Sequence, residues 1–295
     1  MIVLMEFVVY IALILVGACL GSFAGASVWR LRARQLRRDK KDHEPVDAKE
    51  YKMLEDLATT TLSKDHSHCL HCGYQLKWYD LIPVFSWLSL RGKCRNCHKR
   101  IGYFELLIEL GMIAFFVASY IFWPFALVSS LEIARFVIWL LAGVVLAMLA
   151  AYDLKWFLLP DKLTLIVGIL GVATVVISCL QSGNPLATIL SAIGAAGVLS
   201  GLYLILYLAS KGKWVGFGDV KLGLGLAFLL VDWQSALVAL FLANLLGCII
   251  VIPLLARGTL KRTSRVPFGP LLIAGTILAQ FLGPLLLSFY VGTLI

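Results

Sequence analysis

Of 295 residues, 60% are hydrophobic and 15% are charged, and the mean hydropathy is +0.90. Water-soluble domains carry about 25% charged residues, so this composition excludes an ordinary soluble enzyme and predicts an all-α polytopic membrane protein. The net charge of +9 reads as a topogenic signal with attraction to anionic membrane lipids, and not as a nucleic-acid surface.

A helix needs about 20 apolar residues to cross a bilayer. Such runs fall near 3-29, 105-127, 133-153, 162-181, 186-209, 219-231, 233-256 and 268-292, which predicts about eight transmembrane helices, the sixth being short. The first run follows a start that contains Glu6 and no basic residue, and it is too long for a signal-peptide core, so it reads as a retained anchor. With the segment after it inside, the loops at 30-104, 154-161, 209-218 and 257-267 and the adjoining span ends hold every Lys and Arg except Arg135. Basic residues concentrate on the cytoplasmic side, so these loops are expected there. The expected division is a first transmembrane helix at 1-29, a cytoplasmic loop domain at 30-104 and a membrane-embedded domain at 105-295.

The loop domain carries Cys69-Leu70-His71-Cys72 and Cys94-Arg95-Asn96-Cys97. Two C-x2-C pairs at this separation have zinc-ribbon spacing, and four thiolates form a closed tetrahedral site. A closed site offers no position to substrate, so the zinc is expected to be structural. Disulfides are the alternative, disfavoured in a reducing cytosol. Gly73 and Gly92 are expected to relieve tight backbone at the knuckles. His66, His68, His71 and His98 crowd the same turns as possible competing ligands. The polar stretch from Arg32 to Ser67 reads as a mobile linker with a short amphipathic patch at Tyr51 to Leu57, and Cys19, Cys179 and Cys248 read as small buried hydrophobes.

Carboxylates at span ends are few, and intramembrane carboxylates are costly and usually functional. Asp153 ends the third span in Ala151-Tyr152-Asp153-Leu154, and Asp219 opens the sixth in Gly216-Phe217-Gly218-Asp219-Val220-Lys221. The two spans run in opposite directions, which places both carboxylates at the cytoplasmic face. Two carboxylates in a partly dehydrated site share a proton, so one acts as base toward water and the other polarises a peptide carbonyl. Gly216 and Gly218 are expected to allow unusual dihedrals and close approach of a substrate backbone. Asp161 after Pro160 competes with Asp153 but reads better as a helix start. Lys155, Lys213 and Lys221 read as flanking charge, with Lys221 in the active-site turn.

These motifs resemble the type 4 prepilin peptidases, bacterial inner-membrane aspartyl proteases of the GxGD class. Gly21-Ser22-Phe23, the two cysteine knuckles, Ile82-Pro83 with Ser86-Trp87, Gly92-Lys93-Cys94, Asp153 with Leu159-Pro160-Asp161, and Gly216-Phe217-Gly218-Asp219-Val220-Lys221-Leu222 occur in that family's order. The resemblance implies that Asp153 and Asp219 cut the short basic leader from prepilins or pseudopilins at the cytoplasmic face. It also implies N-methylation of the new terminus with S-adenosylmethionine. Ala24-Gly25-Ala26, Asp80 and Glu105 depart from the family pattern. The rival reading is a non-enzymatic scaffold or proton-coupled carrier, with the carboxylates as a relay and the zinc ribbon recruiting a partner.

Overall fold

The computed structural model describes residues 2–59, 66–261 and 266–293. Parts of the expected linker (60–65) and of the 257-267 loop (262–265) therefore lie outside the described residues. Regular structure among the described residues is helical: α1 (Ile2–Lys41), α2 (Ala48–Thr59), a 3-10 turn (Trp78–Leu81), α3 (Phe85–Ser89), α4 (Phe104–Ile121), α5 (Ser130–Trp156), α6 (Asp161–Gln181), α7 (Pro185–Ala196), a π turn (Gly197–Gly201), α8 (Leu202–Ser210), α9 (Phe217–Leu230), α10 (Trp233–Ala256) and α11 (Gly269–Thr293). Each expected span corresponds to helix, with α7, the π turn and α8 forming one. By length and apolarity, six helices among the described residues qualify to cross a membrane, slightly fewer than the expected eight. At 14 residues, α9 is about 21 Å long and too short to cross about 30 Å of hydrocarbon. In α11 the apolar stretch that counts is Gly269–Gly283. The helices α5 and α6 leave Leu141, Leu165, Ile169 and Val176 exposed, as a lipid-facing surface requires. The protein is a multi-pass helical membrane protein.

The chain forms two compact units, Met1–Val117 and Ala118–Ile295. In the first, α1 runs antiparallel to α4 along a stripe of small residues. Gly17 faces Met112, Ile113 and Phe116, Gly21 faces Glu109, and Gly25 faces Glu105. A Cβ at Gly21 would stand 2.7 Å from the Glu109 Cα, so glycine permits the backbones to meet, the usual way helices associate where lipid removes the hydrophobic drive. The departures from the family pattern are satisfied locally. Glu105 accepts a hydrogen bond from Trp29 Nε1 at 2.9 Å, and the buried Asp80 carboxylate pairs with Arg95 at 2.8 Å.

The expected mobile linker is instead largely folded. From Arg30 to Lys41 the sequence is rich in Arg, Lys, Gln and Leu, all good helix formers, so α1 continues past the membrane. Arg38, Lys40 and Lys41 sit in its last turn, where cations favour the helix dipole. Asp47 Oδ1 accepts from the Lys49 and Glu50 amides and so caps α2. Ala33 and Leu36 pack on Leu54 and Leu57, with Trp29, Val46, Tyr51 and Leu70 around them. Arg32 closes the pair with a two-pronged contact to Glu50 at 3.1 and 2.6 Å. Leu70 lies inside the first cysteine knuckle, so this small core is also what the knuckle rests on.

In the second unit, α6 and α9 approach closely. A Cβ on Gly171 would lie 2.8 Å from the Gly225 carbonyl, and one on Gly225 2.9 Å from Val167. The π turn holds the other side of α9: Ser200 Oγ donates to the Val220 carbonyl at 2.9 Å, and Gly223 meets the Leu199 carbonyl. The short α9 is thus clamped by backbone contacts on two sides, and its first turn carries Asp219.

Candidate active site and metal centre

Asp153 lies in the last turn of α5, and it is buried. Its Oδ2 accepts a hydrogen bond at 3.0 Å from the backbone amide of Gly269, the first residue of α11. A helix N-terminus presents unpaired amides and favours negative charge, so Asp153 caps a helix distant in sequence. Asp219 caps its own helix, with Oδ2 accepting from the Gly216 amide at 3.3 Å. Each carboxylate therefore engages a backbone amide through Oδ2. Oδ1 is left without a hydrogen bond to the described residues. The two carboxylates lie close enough to act on one another electrostatically.

Leu159 connects the two halves. It lies 3.1 Å from where a Cβ on Gly218 would stand and 3.1 Å from where one on Gly269 would stand. The α5–α6 connection thus wedges a leucine between the turn that holds Asp219 and the turn that holds Asp153. The expectation that Gly216 and Gly218 adopt unusual dihedrals is corrected here. Gly216 is extended, with φ −77 and ψ 149, open to any residue, and a Cβ at Gly218 would crowd Leu159.

Asp161 opens α6, and its exposed carboxylate pairs with Lys221 Nζ at 2.8 Å. This ion pair engages the Asp161 carboxylate and gives Lys221 a partner on α6. Tyr203, on α8, packs its ring 5.2 Å from Phe268, the residue before Gly269. Gly269 is a contributor that sequence reasoning missed. A backbone donor has no side-chain signature, and the available signal was the Pro267-Phe268-Gly269-Pro270 run, which breaks helix just before α11.

In the first unit, Cys69, Cys72, Cys94 and Cys97 bring their sulfurs within 4.8 Å of one another. Cys69 lies 4.0 Å from Cys97 and Cys72 lies 3.9 Å from Cys94. A tetrahedron of thiolates at about 2.3 Å from zinc has edges of about 3.8 Å, so the four residues fit such an ion. Both knuckles are built alike. The Cys69 amide donates to the Tyr74 carbonyl and the Cys94 amide to the Lys99 carbonyl, while the residue after each knuckle is left-handed, Gly73 at φ +67 and His98 at φ +53, and Gly92 before the second knuckle has φ +65. Burial pushes the Cys69 thiol up to about 12, whereas the Tyr74 amide draws Cys72 down to about 7. Four adjacent thiolates need a cation's charge to coexist. No histidine joins the group among the described residues.

Fold and geometry together define a multi-pass membrane protein with an apposed pair of carboxylates at helix ends and a four-cysteine centre. Residues 15–123 match the bacterial peptidase A24 N-terminal domain, and residues 139–252 match the type IV leader peptidase family. The chain is 32% identical over 278 residues to a prepilin leader peptidase/N-methyltransferase of Pectobacterium carotovorum, covering 92% of each chain. Proteins of the same name from Burkholderia pseudomallei strain K96243 (32% over 233 residues, 77% of this chain and 70% of the relative) and Bacillus subtilis strain 168 (31% over 227 residues, 76% and 85%) are also similar. No solved structure is significantly similar to it. The chain belongs to the type IV leader peptidase family.

Proposed function

We propose that this protein is an aspartyl endopeptidase that removes the short basic leader from prepilins or pseudopilins at the cytoplasmic face of the bacterial inner membrane, with Asp153 and Asp219 as the catalytic pair. The observation that carries the reading is that each carboxylate is fixed through Oδ2 by a backbone amide and keeps Oδ1 for chemistry. Family membership favours this reading over a carrier or scaffold.

In the proposed reaction one carboxylate is ionised and the other protonated. The ionised member takes a proton from water as the oxygen attacks the scissile carbonyl carbon, and the protonated member donates to the carbonyl oxygen. The resulting diol collapses as the now ionised member takes back a hydroxyl proton, the C–N bond breaks, and the other member gives its proton to the leaving amine. The catalyst returns to its starting state without a covalent intermediate. The Gly269 and Gly216 amides hold the carboxylates throughout. Gly218 lets the Asp219 turn sit against Leu159, and Lys221 ties that turn to α6 through Asp161. The protease domain proposed is 105-295, after an anchor helix at 1-29 and a metal-bearing cytoplasmic domain at 30-104.

The four cysteines are proposed to hold a structural zinc, whose role is to fold the knuckles. The relatives' second named activity supports N-methylation of the new terminus. S-adenosylmethionine would supply the methyl group; no residue of this chain is assigned to that donor.

The test is mass spectrometry of a co-expressed prepilin. Wild type yields a substrate shortened by its leader and heavier by one methyl group, and Asp153→Asn or Asp219→Asn yields uncut substrate. Cleavage by either variant removes that residue from the mechanism.

A further inference from the structure

Between the two cysteine knuckles the chain runs from Leu81 to Leu90 without a charged residue, as Leu81-Ile82-Pro83-Val84-Phe85-Ser86-Trp87-Leu88-Ser89-Leu90. An apolar run of this length is too short to span and belongs either to a protein core or to a membrane interface. It is not a core: α3 has no buried residue, and Trp78, Leu81, Ile82, Phe85 and Leu88 are all exposed, Phe85 by 74% and Trp78 by 76%. A contiguous apolar surface of this kind is uncommon against water.

The attachment of the segment says what covers it. The Val84 amide, at the turn into α3, donates to Glu109 Oε2 at 2.7 Å. Glu109 is buried in α4, five residues beyond its start at Phe104, or about 7.5 Å along the helix axis. The facing residue on α1 is Gly21, about 12 Å along that helix from Trp29, and Trp29 itself meets Glu105 and Phe104 at the mouth of α4. The turn at Val84 is thus tied to a residue more than one turn inside the start of α4, on the face that packs against Gly21 of α1. Backbone at that depth is tolerated only where its polar groups are satisfied by protein, and the Glu109 carboxylate satisfies the one at the turn.

The surroundings agree with a shallow insertion. Trp87 Nε1 donates to the Gly102 carbonyl, and the Trp87 ring lies 5.2 Å from that of Tyr103, which ties α3 to the start of α4. Trp and Tyr with polar tips are the residues that sit at headgroup level. The Asp80 carboxylate is covered by Arg95, so the segment's one flanking acid enters as an ion pair. Lys77 and Arg91 stand at the two ends, placed to reach lipid phosphates.

We propose that residues 78–90 form a shallow re-entrant element that inserts Trp78, Leu81, Ile82, Phe85 and Leu88 into the cytoplasmic leaflet and seats the four-cysteine centre on the membrane surface. The occupant of this surface is lipid. This docking does not depend on the proteolytic assignment.

The test places the full-length protein in nanodiscs whose phospholipids carry bromine at shallow or deep positions of the acyl chain, and takes Trp78 emission as the difference between wild type and Trp78→Phe. Phe85→Trp adds an emitter at the segment's tip as a second report. The expected result is loss of most of both signals with shallow bromine, weaker loss with deep bromine and little loss with aqueous acrylamide. Quenching by acrylamide and not by bromine would place the segment in water and overturn the proposal. Quenching by neither would mean that protein covers it, which would overturn it equally.

Discussion

The backbone amide of Gly269 donates to Asp153 Oδ2 at 3.0 Å, joining the end of α5 to the beginning of α11. This bond fixes one member of the carboxylate pair by a helix N-terminus instead of by a charged side chain.

Gly269→Ala tests that bond. A Cβ there would stand 2.8 Å from Asp153 Oδ2 and 3.1 Å from Leu159 Cδ2, so the carboxylate or the helix must shift. Displacing a reacting group by about 1 Å costs on the order of 10²-fold in rate. We expect leader cleavage to fall by about that factor while the protein still accumulates in the membrane, as read by substrate mass and by immunoblot.

Asp161 and Lys221 give the opposite expectation. Their ion pair is exposed, with side chains 73% and 38% accessible, and exposed pairs contribute about 0–1 kcal/mol. Asp161→Asn is expected to retain cleavage, and a double-mutant cycle with Lys221→Met to show coupling under about 1 kcal/mol. Loss of activity in Asp161→Asn equal to that in Asp153→Asn would make Asp161 the catalytic residue instead.

Gly21→Ala is expected to loosen the first unit. The added Cβ meets backbone at 2.7 Å, which no rotamer change relieves, and overpacking of this kind costs about 1–3 kcal/mol. The check is the thermal unfolding midpoint in detergent, where Gly111→Ala, with nothing within 4 Å of its added Cβ, is the control and is expected to hold the midpoint or raise it slightly, as Ala in a helix interior does.

The cysteine centre predicts one zinc per chain by elemental analysis. Cys72→Ser is expected to lose the metal and to open residues 66–103 to limited proteolysis, since small metal-bound folds draw their folding free energy from the metal. Retained metal and retained protection in this variant would exclude the four-sulfur site.

Much of the site was legible because its parts have side-chain signatures. The C-x2-C spacing anticipated four sulfurs within reach of one ion, and the turns that hold Asp153 and Asp219 both rest on Leu159. What escaped the sequence rests on backbone and packing. Gly269 acts through its amide, and Gly218 sits against Leu159, which a sequence shows only as two unrelated positions. The stretch from Arg32 to Ser67 reads as linker because it is polar and of mixed charge, although charge decides solvation and the residues after Arg32 favour helix. Its partner α2 became legible only as a pair, when Ala33 and Leu36 met Leu54 and Leu57. The span count was high because apolarity alone does not distinguish a crossing helix from the short α9, which is covered by α6 and the π turn.

The most direct test of the central claim is the mass of a prepilin co-expressed with wild type, Asp153→Asn, Asp219→Asn and Asp161→Asn. A trimmed substrate is expected with wild type and Asp161→Asn, and a full-length one with the other two. Trimming by Asp153→Asn or by Asp219→Asn would contradict it.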